Sequence, residues 1–364
     1  MKTNKVLFIT RKYPPETGGM ENLCFNVADN LPSDEFEVKV VALGKKQIHL
    51  LWFFPYALLY VLFHVKHYDY LLVGDGLMCM CGTVCRWFAH NVKRVVILHG
   101  LDITYKNPIY QFYLKLFLKK SFDLFICNSR NTQKIAKDWG ITGYTTVITP
   151  GINTDVFSTN TLTSVSQFRK KYNIPDDDMI LITVGRLIKR KGVAWFVESI
   201  MSELKNVTYL VVGEGSERET IERHVEEKKL DKKVKLLGRI SDKDWKECYQ
   251  NADVFVMPNI HVEDDVEGFG IVAAEASLAG MIVVASNIDG IPDAIQHEKN
   301  GILVESENAD AFLKVLVNIQ DDLENWKRIA KDYSEFTRKN FSWVNICEEY
   351  RCKMKQLKIE GDFK

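Results

Sequence analysis

The sequence predicts an α/β protein built on two open sheets of parallel strands. Three observations lead there. The chain has 364 residues, too long for one ordinary core and sufficient for two. Short apolar runs of strand length alternate with helix-length segments. The alternation also runs through once, pauses, and starts again, which is the pattern of two successive parallel sheets.

The elements follow in order. KVLFIT (5–10) is a strand; its apolar run is too short for a secretory leader. A Gly-Gly turn, PPETGG (14–19), leads into a helix at 20–31. Strands are then expected at 37–43, 70–76, 94–100, 124–129 and 145–151, with a further helix at 131–139. Most of these strands end in Gly, Asn or Pro, where a chain leaves a sheet. The second series is 179–186, 207–215, 234–240, 253–259 and 281–286. The Ser/Thr-rich stretch 158–166 separates the two, dividing the chain into domains 1–160 and 161–341. Ligands of such sheets gather beyond the C-terminal ends of the strands, so those loops are the ones to search.

Composition bounds the partners. Lys+Arg and Asp+Glu number 48 each, for a net charge of zero. Residues 1–160 hold 18 basic against 12 acidic residues (+6), and the remainder 30 against 36 (−6). A basic first half suits an anionic partner, such as a phosphorylated acceptor or a membrane surface. Its charges are too dispersed for a nucleic-acid footprint. The eight cysteines, with no leader ahead of them, read as reduced thiols of a cytosolic enzyme. CMCGTVC (79–85) lacks the paired spacing of a metal site, so its cysteines are expected as buried structural thiols on a helix.

The run 48–65 is apolar almost throughout, with Pro55 inside it. It reads as a buried helix beneath the first sheet. It is also more apolar than a half-buried helix needs, and its Trp, Phe and Tyr residues lie beside Lys45, Lys46 and Lys66, as at a membrane interface. A helix expected at 110–122 adds aromatics and three lysines. The expectation is peripheral attachment to an anionic cytoplasmic leaflet, bringing an acceptor site to a lipid-linked sugar.

Four stretches carry chemistry. In DVEGFGIVAAEASLAG (265–280), Gly268 and Gly270 allow close backbone approach to a ligand. The helix expected from Ile271 offers unpaired N–H groups and a partial positive charge to a diphosphate. Glu267 precedes that helix, and Glu275 lies a turn inside it; the bland reading is two surface glutamates at a turn. In VGRLIKRKG (184–192), Arg186 and Lys191 follow a strand end at Gly185 and can neutralise a leaving diphosphate; the alternative is a solvated basic loop. His99 and Asp102, in HGLD after a strand, suit a hydroxyl or acid–base role, or a satisfied structural pair. Gly18 and Gly19 open a helix that can close over phosphate, or simply end a loop. VGEGSERE (212–219) lacks the third glycine of a dinucleotide fingerprint. The acidic runs 176–178 and 263–265 complete no metal site, and the second reads as solvated.

As an ordered set these stretches, with PGINTDVF (150–157), LGRIS (237–241) and the DGIPDAI segment from Asp289, resemble the retaining glycosyltransferases of family 4. The resemblance implies the GT-B fold, two facing Rossmann-like domains with an interdomain cleft. It also implies a last helix, 342–364, crossing back onto the first domain. Arg186 and Lys191 would hold the donor diphosphate, Glu275 the nucleotide ribose and Glu267 the hydroxyls of the transferred sugar. Phe269, Gly270, Ile271, Gly185 and Gly213 would approach the donor, with Arg239 and Ile240 near its base. Gly19 would reach the phosphates from the first domain, His99 would sit by the reacting carbon, and Gly18 and Asp102 would lie on the acceptor side. Catalysis would then rest on His99, Glu267, Arg186 and Lys191. The donor would be a nucleotide-diphosphate-sugar bound without metal or other cofactor. The acceptor would be a hydroxyl of a glycan or lipid-linked sugar, in cell-surface polysaccharide or glycolipid synthesis. The acidic insert before Glu267 departs from the commoner short loop of the family. A nucleotide-sugar epimerase and a non-catalytic partner protein of the same fold are the alternatives.

Overall fold

The computed structural model describes residues 3–16, 18–44, 47–157, 163–263 and 265–361. The chain forms two compact units, Met1–Gly151 with Phe341–Lys364, and Ile152–Asn340.

In the first unit six parallel strands, β1 (Asn4–Thr10), β2 (Phe36–Ala42), β3 (Tyr70–Val73), β4 (Lys93–Leu98), β5 (Leu124–Cys127) and β6 (Thr145–Val147), pair in the order β2-β1-β3-β4-β5-β6. Both faces are covered, which is why the central strands are continuously apolar instead of alternating. Leu7 and Ile9 point to one core with Leu71 and Val73, under helices Leu50–His64 and Met80–Phe88. Val6 and Phe8 point to the other, under helices Gly19–Asn30 and Trp343–Gly361. The order reverses between β1 and β3, so the crevice beyond Thr10 and Val73 is this unit's natural ligand position.

The second unit repeats the plan. Strands β7 (Met179–Val184), β8 (Val207–Val212), β9 (Val234–Gly238), β10 (Val254–Met257), β11 (Ile282–Ser286) and β12 (Ile302–Val304) pair in parallel in the order β12-β11-β10-β7-β8-β9. Here the order reverses between β7 and β10. The loops beyond Val184 and Met257 therefore flank the crevice.

Three expectations are corrected. The division between units falls at Gly151, not near residue 160. Trp343 closes over Gly151, where an added Cβ would lie 2.7 Å from the indole, so the chain belongs to the first unit up to that point. Phe157 already stacks on Tyr249 of the second unit, with ring centroids 5.6 Å apart. Residues 158–162, within the expected linker, lie outside the described residues. The apolar run 48–65 is not a buried helix. Phe53, Ala57 and Val61 form an inner stripe at helical spacing, while Leu51, Trp52, Tyr56, Leu59 and Phe63 are exposed. The helix in 110–122 runs Pro108–Phe117, its start capped by the Asn107 side chain. Lys45 and Lys46 lie outside the described residues.

Cys81 and Cys85 are buried on helix Met80–Phe88, with Cys79 just ahead of it. Burial pushes the Cys79 and Cys85 thiols up to about 12.

Candidate functional site

The second unit's site grows from the ends of β7, β8 and β9. Gly185 and Arg186 follow β7, Gly213 follows β8, and Arg239 and Ile240 follow β9. All five line one cavity of about 520 Å³, with Trp245 on its wall. Gly213 is required there. Its φ is +135°, and a Cβ would fall 1.8 Å from the Gly185 carbonyl oxygen, so any side chain would force the two strand ends apart. Arg186 is exposed, and its guanidinium has no hydrogen-bond or ion-pair partner among the described residues. It is a free cation at the mouth of the cavity.

Beside it lies a buried polar knot. The loop Lys189–Lys191 is a single 3₁₀ turn ended by Gly192. It turns Lys191 back onto Glu267, at 2.5 Å. Arg190 reaches the same carboxylate oxygen at 2.5 Å and Asp265 at 2.9 Å. Asn259, just after β10, donates to that oxygen at 3.2 Å. All three bonds fall on Oε2, and among the described residues nothing is bonded to Oε1. The backbone is held too: Glu267 N–H donates to Asp289 at 3.0 Å. Burial alone would raise the Glu267 carboxyl, but Lys191 and Arg190 outweigh it and hold it below the usual range. Burial pulls the Lys191 ammonium below its ordinary value, Glu267 opposes this, and Arg190 and Arg186 add repulsion.

The knot corrects one reading and supplies one missed residue. The acidic run 263–265 is not merely solvated, since Asp265 is bound by Arg190; Asp264 lies outside the described residues. Arg190 is the buried cation of the basic loop. A run of three cations gives no local sign that Arg190 turns inward beside Lys191.

Glu267 leads through Phe269 and Gly270 into helix Ile271–Leu278. Gly270 precedes that helix in the left-handed region, at φ +84°, and the first helical N–H groups have no partner one turn back within the helix. Glu275 lies one turn inside. It is half-buried, and among the described residues its carboxylate has no hydrogen-bond or ion-pair partner. Burial pushes its pKa up to about 7. The Glu275 charge acts on Tyr249, which packs on Trp245 of the cavity wall at 4.8 Å. A free guanidinium thus lines the cavity, and an unsatisfied carboxylate lies behind its wall, beyond Tyr249.

In the first unit, Gly18 precedes helix Gly19–Asn30, and the Cβ direction of Gly19 meets open space. His99 is buried and satisfied. Its Nε2 lies 3.2 Å from the Gly74 carbonyl and its Nδ1 3.4 Å from the Asn128 amide. A carbonyl only accepts, so Nε2 carries the proton and Nδ1 accepts from Asn128. The His99 backbone N–H donates to Asp102 at 3.0 Å. Burial raises the Asp102 carboxyl, and nearby Asp75 adds to the rise against His99. Neither ring nitrogen is open in this geometry. Asp102 also lines a cavity of about 900 Å³ with Arg11, Lys12 and several aromatic residues.

Comparison with known proteins gives the family. The model of glycosyltransferase family 4 matches residues 17–156, and that of the glycosyl transferases group 1 matches residues 164–336. An uncharacterized glycosyltransferase of Methanocaldococcus jannaschii is 26% identical over 95% of this chain and 96% of its own. A GDP-mannose-dependent α-(1-6)-phosphatidylinositol monomannoside mannosyltransferase of Mycobacterium tuberculosis is 26% identical over 60% of this chain and 58% of its own. Among solved structures, the Anabaena protein HepE in complex with UDP superposes with a TM-score of 0.77 at 18% identity, covering 97% of this chain and all of that one. Sucrose-phosphate synthase of Thermosynechococcus elongatus gives 0.75 at 22% identity, covering 97% of this chain and 99% of that one. The chain belongs to the group 1, family 4 glycosyltransferases and has the GT-B fold.

Proposed function

We propose that the protein is a retaining hexosyltransferase that takes its sugar from a nucleotide-diphosphate-sugar. The observation that carries this reading is the cavity beyond β7–β9, lined by the free Arg186 with Arg239 and Ile240, together with the unpartnered Glu275 on helix Ile271–Leu278. The base would lie by Arg239 and Ile240, and Glu275 would accept hydrogen bonds from the ribose hydroxyls. Arg186, Lys191 and the first N–H groups of helix Ile271–Leu278 would take the diphosphate, neutralising the charge that grows as it leaves. Glu267, held ionised with Oε1 open, would accept from hydroxyls of the transferred sugar. No metal or other cofactor enters this scheme. The acceptor is a hydroxyl of a glycan or lipid-linked sugar, with Gly18, His99 and Asp102 on its side, while Gly19 would approach the donor phosphates. A reducing, cytoplasmic setting agrees with eight cysteines that are all free thiols.

Two relatives bear on the donor base, one named GDP-mannose-dependent and one solved with UDP. The test is thermal shift with a panel of UDP- and GDP-sugars. A bound donor at about 100 times its dissociation constant adds roughly 2.7 kcal/mol of stability. NMR of the product then reads the anomeric configuration. A protein stabilised by no nucleotide-sugar lacks the proposed donor site.

A further inference from the structure

We propose that the first unit seats on an anionic phospholipid bilayer through the outer faces of helices Leu50–His64 and Pro108–Phe117. These helices are apolar on two faces. The inner face of the first, with Phe54, meets Tyr113 of the second at a centroid distance of 6.3 Å, and both helices line the 900 Å³ cavity. Their outer faces are open to solvent among the described residues. Leu51 and Trp52 are each 80% exposed, with Phe63 and Phe112 also open, and Ile109, at the rim of the cavity, is 81% exposed. Helix Met80–Phe88 packs against the first and adds exposed Trp87 and Phe88. This concentration is local: in the second unit only Val165 and Val317 are comparably exposed among the described residues. So many exposed large apolar side chains on three neighbouring elements mark an interaction site.

Charge selects the partner. Residues 44–122 contain ten Lys and Arg but only three acids, Asp69, Asp75 and Asp102. Asp75 and Asp102 are buried, and Asp69 is bound by Lys358 at 2.8 Å. Lys66, Arg86, Lys115 and Lys120 are exposed. Exposed aromatic and aliphatic side chains on the same elements as exposed cations, with no exposed carboxylate from the same segment, fit an interface of acyl chains and anionic headgroups. The apolar run Leu50–His67 meets the length and composition of a membrane span. Its helix of 15 residues is only about 22 Å long, short of the roughly 30 Å hydrocarbon core. Its stripe Phe53, Ala57 and Val61 is also part of the unit's core. The helix therefore lies on the bilayer and does not cross it. Such docking deepens the proposed acceptor class by bringing a lipid-borne acceptor to this unit, and it is measured without donor or acceptor.

The experiment is cosedimentation of the full chain with vesicles of phosphatidylcholine, alone or mixed equally with phosphatidylglycerol. Binding is expected to the mixed vesicles and to weaken with salt. Trp52→Glu with Phe63→Glu should reduce it at least about tenfold, with the thermal midpoint and nucleotide affinity unchanged. Lys115→Glu with Lys120→Glu should remove the preference for phosphatidylglycerol. A chain that stays in the supernatant at low salt overturns the proposal, as does undiminished binding by the Trp52/Phe63 variant. A dimer dissolved by Trp52→Glu would also overturn it, by showing a second copy to be the occupant.

Discussion

Replacing Glu275 by Gln should make the empty protein more stable while weakening nucleotide binding. The carboxyl is raised from 4.5 to about 7 by burial. That displacement of about 2.5 units corresponds to ~3 kcal/mol against the ionised form, an upper bound because Glu275 keeps some solvent contact. The sign follows from proton counting. Between the two values the folded state holds a proton that the unfolded state has lost, so stability falls as pH rises through this window. Below pH 4.5 the group contributes no difference. Above about pH 7 the full penalty is present, and glutamine avoids it. Denaturant unfolding of both proteins should therefore give a gap under about 1 kcal/mol near pH 5 and up to about 3 kcal/mol near pH 8. Nucleotide titration gives the complementary result. Ribose hydroxyls stabilise the ionised carboxylate, so wild-type affinity should rise with pH to a plateau above about 7. The variant should bind more weakly, with no such rise. A variant no more stable than wild type near pH 8, or one that binds nucleotide equally well, would refute the account of Glu275 as an unsatisfied ligand group.

Arg186→Ala and Lys191→Ala should each cost about 2–4 kcal/mol in kcat/KM, through lost stabilisation of the leaving diphosphate; normal turnover by either variant removes that role. Arg190→Met should move the acid limb of kcat/KM to higher pH, because Arg190 helps to hold the Glu267 carboxyl down and its ionised form is lost as pH falls through the folded value. A pH profile coincident with wild type would show Arg190 to be only a packing residue. Gly213→Ala places a Cβ against the Gly185 carbonyl oxygen at 1.8 Å. It should destabilise the protein by ~1–3 kcal/mol from backbone conformation alone and further from the clash. Unfolding by denaturant measures this, and an unchanged midpoint contradicts the geometry.

Much of the fold was legible in contiguous residues. A buried parallel strand needs an unbroken apolar run, and a chain leaving the sheet needs Gly, Pro or Asn, so both halves announced their strands locally. β12, at Ile302–Val304, is too short to give that signal. Arg186, Lys191, Glu267 and Glu275 were legible as well, because they lie within a few residues of strand ends or of a Gly-rich helix mouth. Their partners were not. Lys191 and Glu267 stand 76 residues apart, and their contact exists because β7 and β10 are neighbours in the sheet. That same adjacency turned Arg190 and Lys191 inward together, while Lys189 stayed exposed and Arg186 was left unpaired. The state of His99 likewise depended on the Gly74 carbonyl and the Asn128 amide, which β3 and β5 bring to either side of β4. The helix at 50–64 makes the division clearest. Its apolar sequence determined that it would form and avoid water on every side. With no polar face to orient it, only the neighbouring elements decided which stripe entered the core and which remained exposed.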